Sequence, residues 1–268
     1  MSTEPDMFAM AIAPILRTYI GMVREELREH SKSWPVNMAA NRVHEVVGAL
    51  IARQVSLATR LVQSPGIWNP HVGPLVLRVM VDNHINLAWI LAQPEDRACK
   101  FVEHGLGQEK LIIEHRKATI RESGDDPDTD EGIKADEAWI DSQKFGFLTE
   151  VNIGGWSGLD TRKMAEEVGL LEMHRRDYTT LSCPVHNMWN HLGRYNVVRC
   201  KNPLHGLHKV PCDSTRFEMD VNYPLGAASY VEGSFELFRD KTDVICPAPS
   251  AFVYFEEAIS KLEETGEQ

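Results

Sequence analysis

Apolar residues recur along most of this chain at the three- and four-residue spacing of amphipathic α-helices. A segment of about residues 37–63 shows one broad apolar face before Ser64-Pro65-Gly66 ends it. The next segment, about residues 70–93, is apolar nearly all round, which predicts the most buried helix. The predicted helices cover about residues 7–30, 37–63, 70–93, 94–121, 133–145, 171–192, 225–241 and 250–264, with a short helix between the N-cap Asp160 and Gly169.

The expected fold class is all-α, a multi-helix bundle, because no series of alternating apolar and polar residues predicts a sheet. The helical pattern lapses over about residues 193–224, which predicts a long Cys/His-containing loop before the C-terminal helices. Without repeats or low-complexity linkers, residues 1–268 are expected to form a single helical domain. Its core is expected at about residues 37–192, followed by the loop and closing helices at about residues 193–268.

Composition and charge narrow the class of protein. The chain is 43 % hydrophobic and 25 % charged, and 39 acidic against 28 basic side chains give a net charge of −11. This acidic balance argues against a general polyanion binder, which gains affinity by counterion release along a basic face. The N-terminus is acidic before its short apolar stretch, and the five cysteines are scattered. These features predict a cytoplasmic protein with no membrane-spanning segment.

Polar and charged residues interrupt the apolar helices at helical spacing and form three stripes. The stripes comprise Arg78, Asp82 and Asn86 on the third helix, Arg97 and His104 on the fourth, and Tyr178, Ser182 and His186 on a late helix. Burying a charge without a partner costs several kcal/mol, so these groups must pair with one another or with a ligand. Stripes that converge would create a polar pocket between the helices.

The stripes have a functional and a structural interpretation. In the functional one Arg78, Asp82 and His186 are catalytic, with His186 as acid/base and Arg78 as a phosphate clamp. The ligand-binding residues are then Arg97, His104, Tyr178 and Ser182. In the structural one Arg78 and Asp82 form an intrahelical ion pair, and Tyr178 and His186 are hydrogen-bonded core residues.

A cluster of cysteines and histidines suggests a zinc site in the long loop. Its members, Cys200, His205, His208 and Cys212, lie within thirteen residues. Two cysteines and two histidines are a common tetrahedral set for Zn²⁺, and such a clip would order the loop. The spacing C-x4-H-x2-H-x3-C is not that of a standard finger, and His186 and His191 are candidate substitute ligands. A surface loop without metal is the alternative.

The acidic segment after the fourth helix matches a calcium-binding loop only in part. Its carboxylates at positions 1, 3, 5 and 12 are Asp126, Asp128, Asp130 and Glu137. Position 6 is Glu131, where a glycine normally turns the chain sharply. The sequence therefore predicts a solvated acidic loop.

Four motifs occur in a fixed order: R-x3-[ED], P-x2-R-A-x2-F, W-S-G and Y-x3-S-x2-V-H. They resemble an uncharacterised bacterial all-helical family of unknown function, and the matches cover about residues 75–186. Pro184 stands inside the last motif, where a proline can kink the helix and shift His186. The family's helical shape is similar to that of HEPN-type proteins, some of which are metal-independent ribonucleases or defence toxins with an R-x4-6-H motif. Two R-x5-H matches occur here, Arg78 with His84 and Arg199 with His205.

Two function hypotheses follow. The first is a HEPN-like helical protein whose pocket binds or cleaves a phosphate-bearing ligand, a nucleotide or RNA, in a defence or toxin setting. An enzyme of this kind would be a hydrolase or ribonuclease, and its cleft would contain Arg78, Arg97 and His186. The second is a non-catalytic structural or regulatory module that self-associates as a homodimer, with or without a structural zinc ion.

Overall fold

The computed structural model describes residues 7–147, 156–213 and 217–266. Nearly all of the regular structure in these residues is helical, which confirms the predicted all-α bundle. The helices are α1 (Met7–Ser33), α2 (Asn41–Val62), α3 (Gly73–Ala92), α4 (Pro94–Glu122), α5 (Glu131–Phe147), α6 (Thr161–Glu167), α7 (Leu171–Met173), α8 (Thr179–Val185), α9 (Trp189–Tyr195), α10 (Asn222–Thr242) and α11 (Ala251–Gly266). A π turn, His174–Tyr178, joins α7 to α8.

The principal core brings both ends of the chain onto the central helices. Side chains of α1, α10 and α11 pack with those of α2 and α3, and the Tyr19 and Phe255 rings stack with centroids 4.6 Å apart. The core therefore also includes helices that precede and follow the predicted 37–192 segment in the sequence. By length and composition α3 could also cross a membrane, but 67 % of its apolar stretch is buried inside the protein, as in the core helix of a bundle.

Local signals fix α6 where the sequence predicts it. The Asp160 side chain accepts a hydrogen bond from the Lys163 backbone N–H at 2.8 Å, which caps the helix. Gly169 follows the helix at φ +76°, a left-handed conformation that glycine adopts without steric cost. Between these signals, Met164 and Ala165 pack against α3 and complete a second, smaller core.

The late helix predicted over about residues 171–192 is interrupted in the structure. Pro184 lies in the last turn of α8, which ends at Val185. Asn187 then adopts φ +51°, and α9 begins only at Trp189. Asn187 closes the helix as a Schellman cap, because its N–H donates to the Pro184 carbonyl oxygen at 3.3 Å and the Met188 N–H donates to the Cys183 carbonyl oxygen at 3.0 Å.

The predicted loop at about residues 193–224 contains a short β-hairpin. Strands β1 (Val197–Arg199) and β2 (Lys209–Pro211) pair antiparallel, with Val198 opposite Val210. Three-residue strands are too short to show the alternation that predicts a strand from sequence.

The acidic loop joins α4 to α5, which pack together through a small isoleucine cluster. Asp130 accepts a hydrogen bond from Arg116 at 2.8 Å, and Glu137 accepts one from Lys117 at 2.6 Å. Asp126 caps the turn that follows it. These carboxylates therefore contact separate partners.

Candidate functional site

A polar pocket opens between α3, α4, α6 and the π turn. Its volume is about 530 Å³, which lies in the range of small-molecule sites. Its polar lining comprises Asp82, Asn86, His104, Ser157, Asp160, Thr161, Arg162, His174 and Tyr178, and Trp156 adds an aromatic wall. All three predicted stripes thus contribute to one cavity, α3 through Asp82 and Asn86, α4 through His104 and the late helix through Tyr178.

Arg78 lies buried beside this pocket and contacts side chains from α3, the π turn and α8. Its Nε donates a hydrogen bond to Ser182 Oγ at 3.0 Å, and its Cζ lies 3.3 Å from the centre of the Tyr178 ring. Arg78 also forms an ion pair with Asp82, one turn further along α3. A guanidinium held over an aromatic face and against a carboxylate is well compensated for its burial.

The π turn directs two rings toward the pocket. His174 and Tyr178 stack with centroids 4.3 Å apart, and both line the cavity. Such turns insert one extra residue into a helix and occur frequently at functional sites. The polar stripe therefore extends from Ser182 back to His174. His174 was not among the predicted site residues, although it lies four residues before Tyr178, at the spacing that the rest of the stripe shows.

The ionisable side chains that line the pocket are the carboxylates of Asp82 and Asp160, the imidazoles of His104 and His174, and the guanidinium of Arg162. Burial raises the pKa of Asp82, although the Arg78 guanidinium opposes this shift. Burial and the charges of Arg162 and Arg78 lower the pKa of His174. Asp160 also lines the cavity, and its carboxylate opposes the lowering of the His174 pKa. Titratable groups perturbed by burial and by specific neighbours inside a cleft are candidates for function.

Arg97 lies one layer behind the pocket wall. Its Nη1 donates to the Trp89 carbonyl oxygen at 2.7 Å, and its Nη2 donates to Glu167 Oε2 at 3.1 Å. The guanidinium also lies 3.7 Å from the centre of the Trp89 ring, whose other neighbour is Trp156 at 5.1 Å. Arg97 thus supports the aromatic wall and does not line the cavity.

His186 lies outside the polar pocket. It is the exposed C-cap residue of α8, just after Pro184 and directly before the left-handed Asn187. The predicted meeting of Arg78, Arg97 and His186 in one cleft therefore does not occur. Its N–H still donates to the Ser182 carbonyl oxygen at 3.0 Å, so His186 follows Ser182 by one helical turn, but it stands at the end of α8, where its side chain is exposed and outside the pocket lining.

Neither R-x5-H pair assembles at the pocket. His84 lies on another face of α3, where its Nδ1 is 3.0 Å from Ser234 Oγ. Burial lowers the pKa of His84 to about 4, so the ring is neutral in the folded protein at neutral pH. His205 lies in the loop of the β-hairpin, where its Nδ1 is 3.7 Å from Cys200 Sγ.

The sequence matches the model of a protein family over residues 44–203, more than half of the chain, and its description is "Family of unknown function (DUF5677)". This chain is a DUF5677 protein. This match confirms the predicted membership in a family of unknown function, and the structure confirms that the chain is helical. No curated protein and no solved structure matches the chain. The matched residues of the DUF5677 protein include every element that lines the polar pocket, whereas His205 and His208 lie beyond them.

Three of the four predicted zinc ligands converge in this DUF5677 protein. The ligand atoms of Cys200, His205 and His208 all lie within 4.8 Å of one another. Cys212 is not in this group, because it lies beyond β2 at the opposite end of the hairpin. His191, a predicted substitute ligand, contacts His71 at 3.2 Å instead.

Proposed function

We propose that the polar pocket of this DUF5677 protein binds a nucleotide or another small ligand that carries a phosphate group. The proposal rests on one observation, the presence of a guanidinium and two carboxylates in the lining of one cavity. Arg162 attracts a phosphate, which guanidinium groups bind through charge-assisted hydrogen bonds, and the N–H of the His174 imidazole supplies a further donor. The carboxylates of Asp82 and Asp160 accept hydrogen bonds from sugar hydroxyls and base amino groups.

The aromatic wall supports the same ligand class. Trp156 is held edge-on by Trp89 at 5.1 Å and by Phe101 at 5.0 Å. A side chain fixed before the ligand arrives loses little conformational freedom on binding. Stacking of a base on an aromatic side chain contributes about 1–3 kcal/mol, which fits a nucleotide better than inorganic phosphate.

Binding, and not cleavage of the HEPN type, is the function that the geometry favours. A cleavage site of that type uses the arginine and the histidine of one R-x4-6-H motif beside the same phosphate. The two R-x5-H histidines, His84 and His205, have other neighbours and do not line the pocket. The HEPN-like shape remains part of the proposal through the motif resemblance and the all-α bundle.

Calorimetric titration of the full-length protein tests the proposal. The probes are AMP, ADP, ATP, GMP, GTP and inorganic phosphate, each titrated separately. We expect at least one nucleotide to bind more tightly than phosphate, and Arg162→Ala to weaken that nucleotide by about tenfold or more, as for a lost charge-assisted hydrogen bond. Arg175→Ala is the matched control, because Arg175 is an exposed arginine of the π turn that contacts Glu172. Wild-type protein that binds none of the probes would contradict the proposal.

The second candidate is the structural or regulatory module, and the contacts of Arg78 favour it. Its guanidinium already has partners in Ser182, Tyr178 and Asp82, as a purely structural group would. This candidate predicts that substitutions of Arg78 lower stability and that Arg162→Ala alters no ligand binding. The same titrations and an unfolding curve therefore separate the two candidates.

A further inference from the structure

The β-hairpin ends in a loop that places a thiol and two imidazoles together. The ladder continues one step past β1, where the Cys200 backbone N–H donates to the His208 carbonyl oxygen at 2.9 Å. Within the loop, the His205 N–H donates to the Asn202 carbonyl oxygen at 3.0 Å, and the His208 N–H donates to the His205 carbonyl oxygen at 2.8 Å. These backbone bonds bring Cys200 opposite His208 and turn His205 back toward both.

The side-chain spacing is close to that of a tetrahedral zinc site. With Zn–S near 2.3 Å and Zn–N near 2.0–2.1 Å, a tetrahedral ion separates sulfur from nitrogen by about 3.6 Å. Cys200 Sγ and His205 Nδ1 are 3.7 Å apart. All three ligand atoms lie within 4.8 Å of one another, so binding requires a side-chain movement of only about 1 Å.

The loop has few other sources of stability. Leu204 and Leu207, its large apolar side chains, are each 89 % exposed, so burial of apolar surface does not hold the loop. A metal ion that joins three side chains would supply the missing constraint. A thiolate together with imidazoles selects Zn²⁺ over Mg²⁺ and Ca²⁺, which prefer oxygen ligands.

The register of the hairpin keeps Cys212 away from this cluster. The Cys212 N–H donates to the Asn196 carbonyl oxygen at 2.9 Å, so Cys212 lies opposite a residue four positions before Cys200. At about 3.3 Å per residue along a strand, that offset is about 13 Å. Cys212 therefore cannot bind the same ion while the hairpin is intact.

We propose that Cys200, His205 and His208 bind one Zn²⁺ ion, with water in the fourth coordination position. Three protein ligands and one water are the pattern of zinc sites that keep a position open for an external ligand. The site is separate from the polar pocket, and the two proposals stand or fall independently.

Cobalt substitution of the full-length protein tests this site. The protein is reduced, freed of metal with a chelator and titrated with Co²⁺, whose absorption reports thiolate coordination, and then with Zn²⁺ as competitor. We expect one Co²⁺ per chain, displaced by one equivalent of Zn²⁺. Cys200→Ser should abolish the thiolate band, and His208→Ala should weaken zinc affinity by about a hundredfold or more. Cys212→Ser is the matched control and should bind both metals as the wild type does.

The alternatives give different results. Wild-type protein that takes up no stoichiometric Co²⁺ or Zn²⁺ would overturn the proposal, as would a full thiolate band in Cys200→Ser. If Cys212→Ser weakened binding as strongly as Cys200→Ser, the three-ligand arrangement would be wrong. Far-UV circular dichroism serves as the folding control, and His205→Ala replaces any variant that fails to fold.

Discussion

Two clusters of polar side chains lie on different faces of α3, and they differ in whether they are enclosed by protein or open into a cavity. In the inner cluster, which faces α2 and α10, Gln54 donates to Ser234 Oγ at 3.2 Å and His84 Nδ1 lies 3.0 Å from the same oxygen. In the pocket cluster, Arg78 pairs with Asp82, whose side chain is 40 % exposed. The inner cluster is closed within the protein, whereas the pocket cluster opens into a cavity.

The difference shows where a buried helix can carry charge. The members of the inner cluster, Gln54, His84 and Ser234, are buried. His84 is its ionisable member, and it is neutral because a charged imidazole there would lose its hydration without compensation. The pocket cluster keeps a full ion pair because Asp82 retains contact with the cavity. A closed neutral cluster specifies packing, and an open charged one is suited to a ligand.

The largest expected effect concerns the pH dependence of the inner cluster. The pKa of His84 is about 4 in the folded protein against an ordinary 6.5, so the unfolded chain binds more protons between these values. This contribution to stability is complete above pH 6.5 and is lost as the pH falls toward 4. We expect the unfolding free energy of the wild type, taken relative to that of His84→Gln, to fall by about 3 kcal/mol as the pH is lowered from 6.5 to 4.

Urea unfolding at several pH values measures this difference. The comparison with His84→Gln is needed because burial also raises the pKa of Glu26, to about 7, which acts in the opposite direction over part of the same range. A Glu26→Gln background removes that contribution and is the control. A difference between the two proteins that does not change with pH would show that His84 is not held neutral by the inner cluster.

The next largest effect is expected for Arg78→Met. The substitution removes the hydrogen bond to Ser182 and leaves Asp82 without its cation. Losing one partner of a fully buried ion pair costs about 3–5 kcal/mol, and the partial exposure of Asp82 reduces the expected loss to about 2 kcal/mol. Urea unfolding measures it, with the exposed Arg175→Ala as control. A loss below about 0.5 kcal/mol would show that the pocket cluster is not part of the framework.

A smaller effect of opposite sign is expected for Asp82→Asn. Because the pKa of Asp82 is raised in the folded protein, its ionisation weakens the fold as the pH rises above the ordinary value of 3.8. The variant should therefore be as stable as wild type or up to about 1 kcal/mol more stable at pH 7, and it should bind nucleotide less well. Stability and calorimetric titration are measured on the same sample. A clear loss of stability at pH 7 would contradict the distinction between the two clusters.

Much of this arrangement follows from local sequence signals. The period of the apolar residues predicted the helices and the burial of α3, and Asp160 with Gly169 bounded α6. The i, i+4 spacing on α3 also predicted the Arg78–Asp82 ion pair of the structural interpretation. These features depend on residues a few positions apart, so a single sequence contains them.

The remainder depends on long-range geometry. Trp156 and Arg162 reach the pocket because α6 packs on α3, a contact that no local pattern encodes. Four-residue spacing reaches His174, but the π turn that contains His174 and Tyr178 cannot be predicted from a periodicity that assumes a regular helix. Likewise the register of the hairpin, which separates Cys212 from Cys200, is fixed by pairing across a nine-residue connection from 200 to 208.

The smallest effect is expected for His186→Ala, and it tests the boundary of the pocket cluster. His186 is exposed, and as the C-cap residue of α8 it lies outside the pocket lining. We therefore expect a change in unfolding free energy within about 0.5 kcal/mol and unchanged nucleotide titration, as for the exposed His115→Ala control. A tenfold loss of nucleotide affinity in His186→Ala alone would mean that the bound protein rebuilds the helix through Asn187. In that event the pocket cluster would extend beyond α8, and His186 would contribute an imidazole to the cavity beside α3.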